Sequence, residues 1–446
     1  MCTTTHDKTN TGPSGAQKVP PPKAPSPADK QLPYAAVKYP TLATPDSKFQ
    51  AALDAALAAQ ITAGRFGPDS HVAISMIALT DNGTHKYAGK FDEEMHFSAS
   101  LVKVAAMYAA HELLAAARRL ARRKGFANPA AFIAALSSEF DPQIAAKVLP
   151  VIKNTVIDPA LMLHLPRYSA IFAVTVAGTA DVPAVEFSAT FADDLLSMIG
   201  HGTNEGAARV VRKLSYDYIN AALMAGGFFD PATSSTPQNG IWLAADYLGD
   251  KNKPAFNDNT HIPYVRIDCI NDCFTKNGVT DCTVGQISTT RRMANLFALI
   301  ELGKCPADDP VKVLDPFLNR DVPESGFNMK LLLAEPKPDI PGTSPPKRDR
   351  PWVEQSRLLA VTARFTITRC KIGFADLKRG PNVFSEGLMV DWVRQPGDDA
   401  LLNRRHLTGE IAVSWQNLVG PPPAHKWDGI ARVINDAFAN YIASPL

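Results

Sequence analysis

The chain has 446 residues, 46% of them hydrophobic, and a formal net charge of +2. That length holds one large domain or two smaller ones with a sizeable core, and a charge so near zero gives no support to a nucleic-acid partner or an acidic substrate. No apolar run reads as long enough to span a membrane.

Met1-Cys2 is followed by Thr, His, Asp and Asn, without the hydrophobic region of a signal peptide. Gly12 to Pro45 is proline-rich, so residues 1–45 read as a disordered tether and 46–446 as the folded domain. A first helix is predicted from Asp46 to Thr62, with Phe49, Leu53, Leu57 and Ile61 on one stripe and Gly64 as its stop. Strands follow at His71–Leu79 and Thr84–Lys90, joined by the hairpin turn Asp81-Asn82-Gly83.

Next comes Phe97-Ser-Ala-Ser-Leu-Val-Lys-Val-Ala-Ala-Met-Tyr108, which sets Ser100 three residues before Lys103 at the head of an apolar helix. Residues at i and i+3 share a helix face, so the hydroxyl and the amine can meet. A lysine in an apolar helix near the positive end of the macrodipole gives up its proton readily and can take one from a serine. The bland alternative is a serine N-cap beside a solvated lysine. About one or two Ser-x-x-Lys matches are expected by chance at this length, and a second, Ser344-Pro345-Pro346-Lys347, lies in a proline-rich stretch that cannot be helical. The cations Arg118 to Lys124 read as a helix C-terminus, which favours cations and is capped by Gly125, rather than as a nucleic-acid patch.

Asn128-Pro129, Asp141-Pro142 and Asp158-Pro159 each read as an N-cap and a first-turn proline. Helices are expected at Thr190–Ile199, Glu205–Leu214 and Tyr216–Gly226, then an irregular stretch to Val284, then a helix capped by Ser288. Cys269, Cys273 and Cys282 suit a disulfide better than a metal site, because no histidine follows at ligand spacing. No metal and no cofactor is expected. Glu335 to Trp352 reads as a surface loop, followed by strands at Leu358–Thr368, Cys370–Ala375, Val383–Trp392 and Glu410–Trp415 and a last amphipathic helix, Asp428–Ile442.

The order predicts an α+β fold: an antiparallel sheet built from both chain ends (residues 46–95 and 355–446), flanked by the terminal helices, and a helical lobe over about 96–354. That order, with Ser100-Leu-Val-Lys103 after the first hairpin, resembles the serine β-lactamase and penicillin-binding-protein superfamily, nearest to class A. The family signature is Ser-x-x-Lys, Ser-Asp-Asn and Lys-Thr-Gly. Gly202-Thr203-Asn204 resembles the second part, with Asn204 matching and Gly202 where the family has its proton-relaying serine. Lys371-Ile372-Gly373 resembles the third, with Ile372 in place of the hydroxyl residue.

The resemblance implies an acyl-transferring serine hydrolase for an amide or ester, β-lactam or cell-wall-peptide-like. Ser100 would be the nucleophile, Lys103 the base, and Asn204 and Lys371 would support the site. Gly373 would let substrate approach the strand, with the N–H groups of Phe374 and Ser100 as oxyanion hole; Thr203 would bind substrate, and Thr203 or His201, neither at the matching position, would replace the proton-relaying serine. No Glu stands between Glu205 and Glu301 to serve the deacylating water; Asp246 or Asp268 would substitute, and nothing in the sequence selects either. The alternative is an impaired relative that binds a cell-wall ligand or partner in the same cleft. Cys2 at the head of a polar tether resembles a lipidated bacterial lipoprotein cysteine, or is an accident of a cytosolic tail. The expected chain is a monomer outside the cytoplasm, periplasmic or membrane-anchored.

Overall fold

The computed structural model describes residues 32–68, 70–123, 125–147, 165–176, 182–243, 267–268, 274–276, 279–281, 283–333, 358, 364–375, 383–419 and 424–446. The N-terminal part gives strand β1 (Ala43–Pro45), helix α1 (Ser47–Thr62) and the hairpin β2 (Ala73–Thr80) and β3 (His85–Lys90). A short strand β4 (His96–Phe97) leads through a 3₁₀ turn (Ala99–Val102) into α2 (Lys103–Arg123). The middle contributes α3 (Pro129–Ala145), α4 (Ala189–Ile199), α5 (Asn204–Leu214) and α6 (Tyr216–Gly226), then β5 (Gln286–Ser288), α7 (Thr290–Glu301) and α8 (Glu324–Leu332). The C-terminal part adds β6 (Phe365–Ala375), β7 (Val383–Trp392), β8 (Leu407–Val419) and helix α9 (Ala424–Ala443).

Both chain ends build one six-stranded sheet in the order β1-β3-β2-β8-β7-β6. Its pairs are antiparallel except β1 with β3. Side chains alternate between the faces of a strand, and here each face has its own core. Ile74, Met76 and Ala78 of β2 pack with Phe49 and Leu53 of α1 and Ile434 and Phe438 of α9. Ile77 and Leu79 point the other way, into the core of α2 and α7. The terminal helices are tied by the stacked rings of Phe49 and Tyr441, 4.6 Å apart. Asp46 caps α1, accepting from the N–H groups of Lys48 and Phe49.

The differences from expectation have local causes. Residues 32–45, expected to belong to the tether, are packed on the domain, because two tyrosines anchor them. Tyr34 is buried, and the Tyr39 hydroxyl donates to Glu112 Oε1 at 2.5 Å; β1 then adds to the sheet edge, and residues 1–31 lie outside the described set. In α1 the stripe ends early, and Ile61 is 36% exposed. Steps of four residues drift by about 40° each around a helix, so the stripe has turned off the core by its last member. Pro142 lies inside α3 rather than starting a helix. Thr289, not Ser288, caps α7. The two strands expected from Leu358 to Ala375 are the single strand β6, with an irregularity between Ile367 and Arg369.

Helix α2, taken with its leading turn as Ala99–Arg123, is long and apolar enough by composition to cross a membrane, contrary to expectation, and 94% of that window is buried inside the protein. Arg118 is buried against Asp309 and Glu324 at 3.1 Å each. Its place on the core helix demands these carboxylates, since a charge is buried only when paired. Cys305 is buried and Cys370 half-buried, and both are free thiols. Asp158-Pro159, the loop Glu335–Trp352, the second Ser-x-x-Lys match and Cys269, Cys273 and Cys282 lie outside the described residues.

Candidate active site

The 3₁₀ turn decides the geometry of Ser100. With three residues per turn, side chains at i and i+3 eclipse more closely than in an α-helix, and the turn Ala99–Val102 with Lys103 as its C-cap sets Ser100 and Lys103 at that spacing. The turn is entered through Ala99, whose φ is +47°. That left-handed conformation is strained for a residue with a Cβ and persists only where the surroundings enforce it. Here they do. The Ser98 carbonyl accepts from Leu101 N at 3.0 Å and from the buried Ser385 hydroxyl of β7 at 2.7 Å.

Strand β6 closes on the same turn. A Cβ added to Gly373 would lie 2.1 Å from Ser98 O and 2.9 Å from Leu101 N. Gly373 was expected to make room for substrate; the room is taken by the chain's own turn. Gly373→Ala is therefore expected to push that turn and to cut the reactivity of Ser100 by about 10²-fold, the scale of a 1 Å misplacement. The check is the acylation rate beside a thermal melt, and a rate equal to wild type would mean that β6 does not hold the turn.

Lys103 is 0% exposed. Its Nζ donates to Gly202 O at 2.7 Å, Thr203 O at 3.1 Å and Asn204 Oδ1 at 2.9 Å. Burial first, and then the charge of Lys371, lower its pKa to about 6 against the opposing pull of Glu205. The amine is thus mostly neutral at pH 7 and competent as a base. A neutral amine has two hydrogens for three acceptors. Rotating the Asn204 amide would offer an N–H to its lone pair, so one side chain can serve both protonation states.

The loop of Gly202 accounts for a glycine at this position. Gly202 has φ +69°, a conformation that favours glycine, and its carbonyl is aimed at Lys103. Thr203, expected to reach substrate through its hydroxyl, is instead the N-cap of α5. Its Oγ1 accepts from Gly206 N at 3.1 Å and donates to Ser197 O at 3.2 Å. Its contribution to the site is its backbone carbonyl.

Lys371 shares a face of β6 with Gly373, the face against the turn. It is buried and donates to Ile372 O at 2.8 Å, and burial lowers its pKa to about 8. Phe374 turns its ring to the opposite face, against Phe384 at 4.8 Å between centroids, so any part it plays at the turn is through its backbone. β6 is the last strand of the sheet, which leaves alternate N–H groups without a sheet partner.

Tyr218 and Asn220 are core residues: the tyrosine hydroxyl donates to Pro33 O and the amide to Tyr216 O and Leu243 O. Glu301 is held by Lys330 at 2.6 Å. Asp246 and the side chain of Asp268 lie outside the described residues. Ser385 and Glu205 were missed from sequence. Ser385 becomes visible only when the register places it opposite Gly373. Glu205 opens α5 beside Asn204. Because its charge raises the pKa of Lys103 and that of Lys371 lowers it, Glu205→Gln is expected to move the acid limb of the acylation profile down in pH. Lys371→Met is expected to move it up, and a stopped-flow pH series separates the two.

No protein-family model and no curated protein matches the sequence. Among solved structures the chain is similar to a β-lactamase from Chitinophaga pinensis, with 11% identity, TM-score 0.40, 88% of this chain and 100% of that one covered. It is similar to an acyl-enzyme complex of PBP-A with penicillin G, with 12% identity, TM-score 0.40 and coverages of 89% and 98%. A third similarity is to the TP domain of penicillin-binding protein 3 from Burkholderia pseudomallei, with 12% identity, TM-score 0.38 and coverages of 89% and 93%. The fold is α+β: a sheet drawn from both chain ends, terminal helices on one face and a helical lobe on the other. That is the arrangement the β-lactamase resemblance implies.

Proposed function

We propose that the chain is a serine hydrolase of the β-lactamase and penicillin-binding-protein type, acting by acyl transfer on an amide or ester. The observation that carries this is a fully buried Lys103, neutral near pH 7, one 3₁₀ turn from Ser100. Ser100 Oγ attacks the carbonyl carbon and passes its proton to Lys103 Nζ. The oxyanion takes the N–H groups of Ser100 and Phe374. The leaving nitrogen or oxygen departs with the proton from Lys103, leaving an ester on Ser100. Lys371 supplies positive charge beside the turn, where an anionic substrate group is drawn. A cell-wall-peptide substrate would call for a location outside the cytoplasm, and that location is part of the proposal.

Intact-mass spectrometry tests the reading. Incubation with penicillin G or a fluorophosphonate should give one adduct per chain, absent in Ser100→Ala. Ser344→Ala should keep the adduct, since the prolines between Ser344 and Lys347 rule out a shared helix face; loss of labelling in a folded Ser344→Ala variant would overturn the assignment of the nucleophile.

A second reading has its own observation. The Lys103 amine already meets three acceptors, which suits a structural strut in a non-enzymatic cleft that binds a cell-wall ligand. Absence of any adduct with either reagent, in well-folded protein, would select it.

A further inference from the structure

We propose that His71, Glu94 and His96 form a binding site for one divalent transition-metal ion of the zinc class. The three residues come from separate places: the approach to β2, the bend after β3, and β4. One donor atom from each lies within 4.8 Å of the other two. Glu94 Oε2 is the hub. It is in direct contact with His71 Nε2 and lies 3.6 Å from His96 Nε2. Two bonds of about 2.1 Å in a tetrahedral centre set their donors about 3.4 Å apart. The Glu94–His96 pair is therefore already at ligand spacing, and the His71–Glu94 contact opens to admit the ion.

The donors are held in advance. His96 is 0% exposed, and β4 is fixed by pairing with β5. The His71 ring stacks on Phe91 with centroids 3.7 Å apart, and Asn417 Nδ2 donates to the His71 carbonyl at 2.6 Å. The side chains of His71 and Glu94 are 38% and 32% exposed, so an ion can enter from solvent and keep a water as its fourth ligand. Two imidazoles and a carboxylate with one open position suit zinc and its neighbours better than calcium or magnesium, which take oxygen ligands. A histidine–glutamate ion pair explains one imidazole on Glu94; it does not call for a second converging on the same oxygen.

The site stands apart from the chemistry of Ser100 and does not depend on it. It is also close to it along the chain: His96 and Phe97 lead directly into Ser98 and the strained Ala99. A bound ion would brace the root of the turn that carries Ser100.

The test is titration of the full chain, stripped with EDTA, with Co²⁺ and with Zn²⁺. The expected result is one ion bound by nitrogen and oxygen ligands, seen as a ligand-field spectrum without thiolate charge-transfer bands, and a melting temperature that rises with Zn²⁺. His71→Ala and Glu94→Gln should each raise the Kd at least about tenfold. Both side chains are part-exposed, so these variants avoid the folding risk of altering buried His96. Unchanged affinity in either folded variant, thiolate-dominated spectra alone, or no binding at millimolar metal would overturn the proposal and leave a hydrogen-bonded histidine–glutamate cluster.

Discussion

Lys103→Met is expected to slow acylation of Ser100 by about 10³-fold, within the range that a positioned general base contributes. The wild-type rate should follow a bell in pH. Its acid limb lies at about 6, where Lys103 loses its proton, and its alkaline limb at about 8, where Lys371 loses its own. Lys103→Met should remove the acid limb along with most of the rate. The stability linkage has a definite sign. The folded pKa of Lys103 is depressed below its ordinary 10.5, so between about 6 and 10.5 the unfolded chain binds more protons than the folded one. Stability therefore rises with pH across that window. Activity below pH 6 falls while this group's effect on stability is flat, so a melt at pH 5 and pH 7 distinguishes loss of the base from loss of the fold. A rate in Lys103→Met within tenfold of wild type, in protein with a cooperative melt, would show that another group takes the serine proton.

The sequence made Ser100 and Lys103 legible because their spacing is a local matter, and a turn of helix needs no tertiary knowledge. It also placed Lys371 and Asn204, through the resemblance rather than through any physical signal of their own. What it could not show is what each group touches. Gly373 reads as an opening in a strand until the sheet brings Ser98 O to where its Cβ would be. Gly202 reads as a lost serine until its φ of +69° and its carbonyl bond to Lys103 are known. Thr203 reads as a hydroxyl for substrate, and helix α5 uses that hydroxyl first. Ser385 depends on the β6–β7 register. His71 and His96 stand 25 residues apart in number and meet only through the packing of the approach to β2 on the bend after β3. In the fold, the two lobes followed from the order of elements. The exceptions were places where one or two residues outweigh composition, such as Tyr34 and Tyr39 pinning a proline-rich segment.

A penicillin adduct on Ser100, once formed, is expected to persist for at least about an hour, equivalent to a hydrolysis barrier above about 22 kcal/mol. Deacylation needs a water and a base on the far side of the ester from the departed leaving group. Among the described residues the obvious candidates are committed elsewhere. Glu301 is paired with Lys330. The Thr203 hydroxyl caps a helix and bonds Ser197 O. Gly202 has no side chain to relay a proton. Lys103 remains, and its nitrogen is already engaged by Gly202 O, Thr203 O and Asn204 Oδ1. Acylation should thus outrun release, and the mass spectrum should show the adduct decaying over hours while free penicillin is scarcely depleted. Rapid multiple turnover would mean that a base is present after all, and Glu205→Gln then becomes decisive. Glu205 is exposed, stands next to Asn204, and its charge reaches Lys103. Turnover abolished in that variant with acylation intact would assign it the water, and turnover unchanged would send the search to the Asp246 and Asp268 segment.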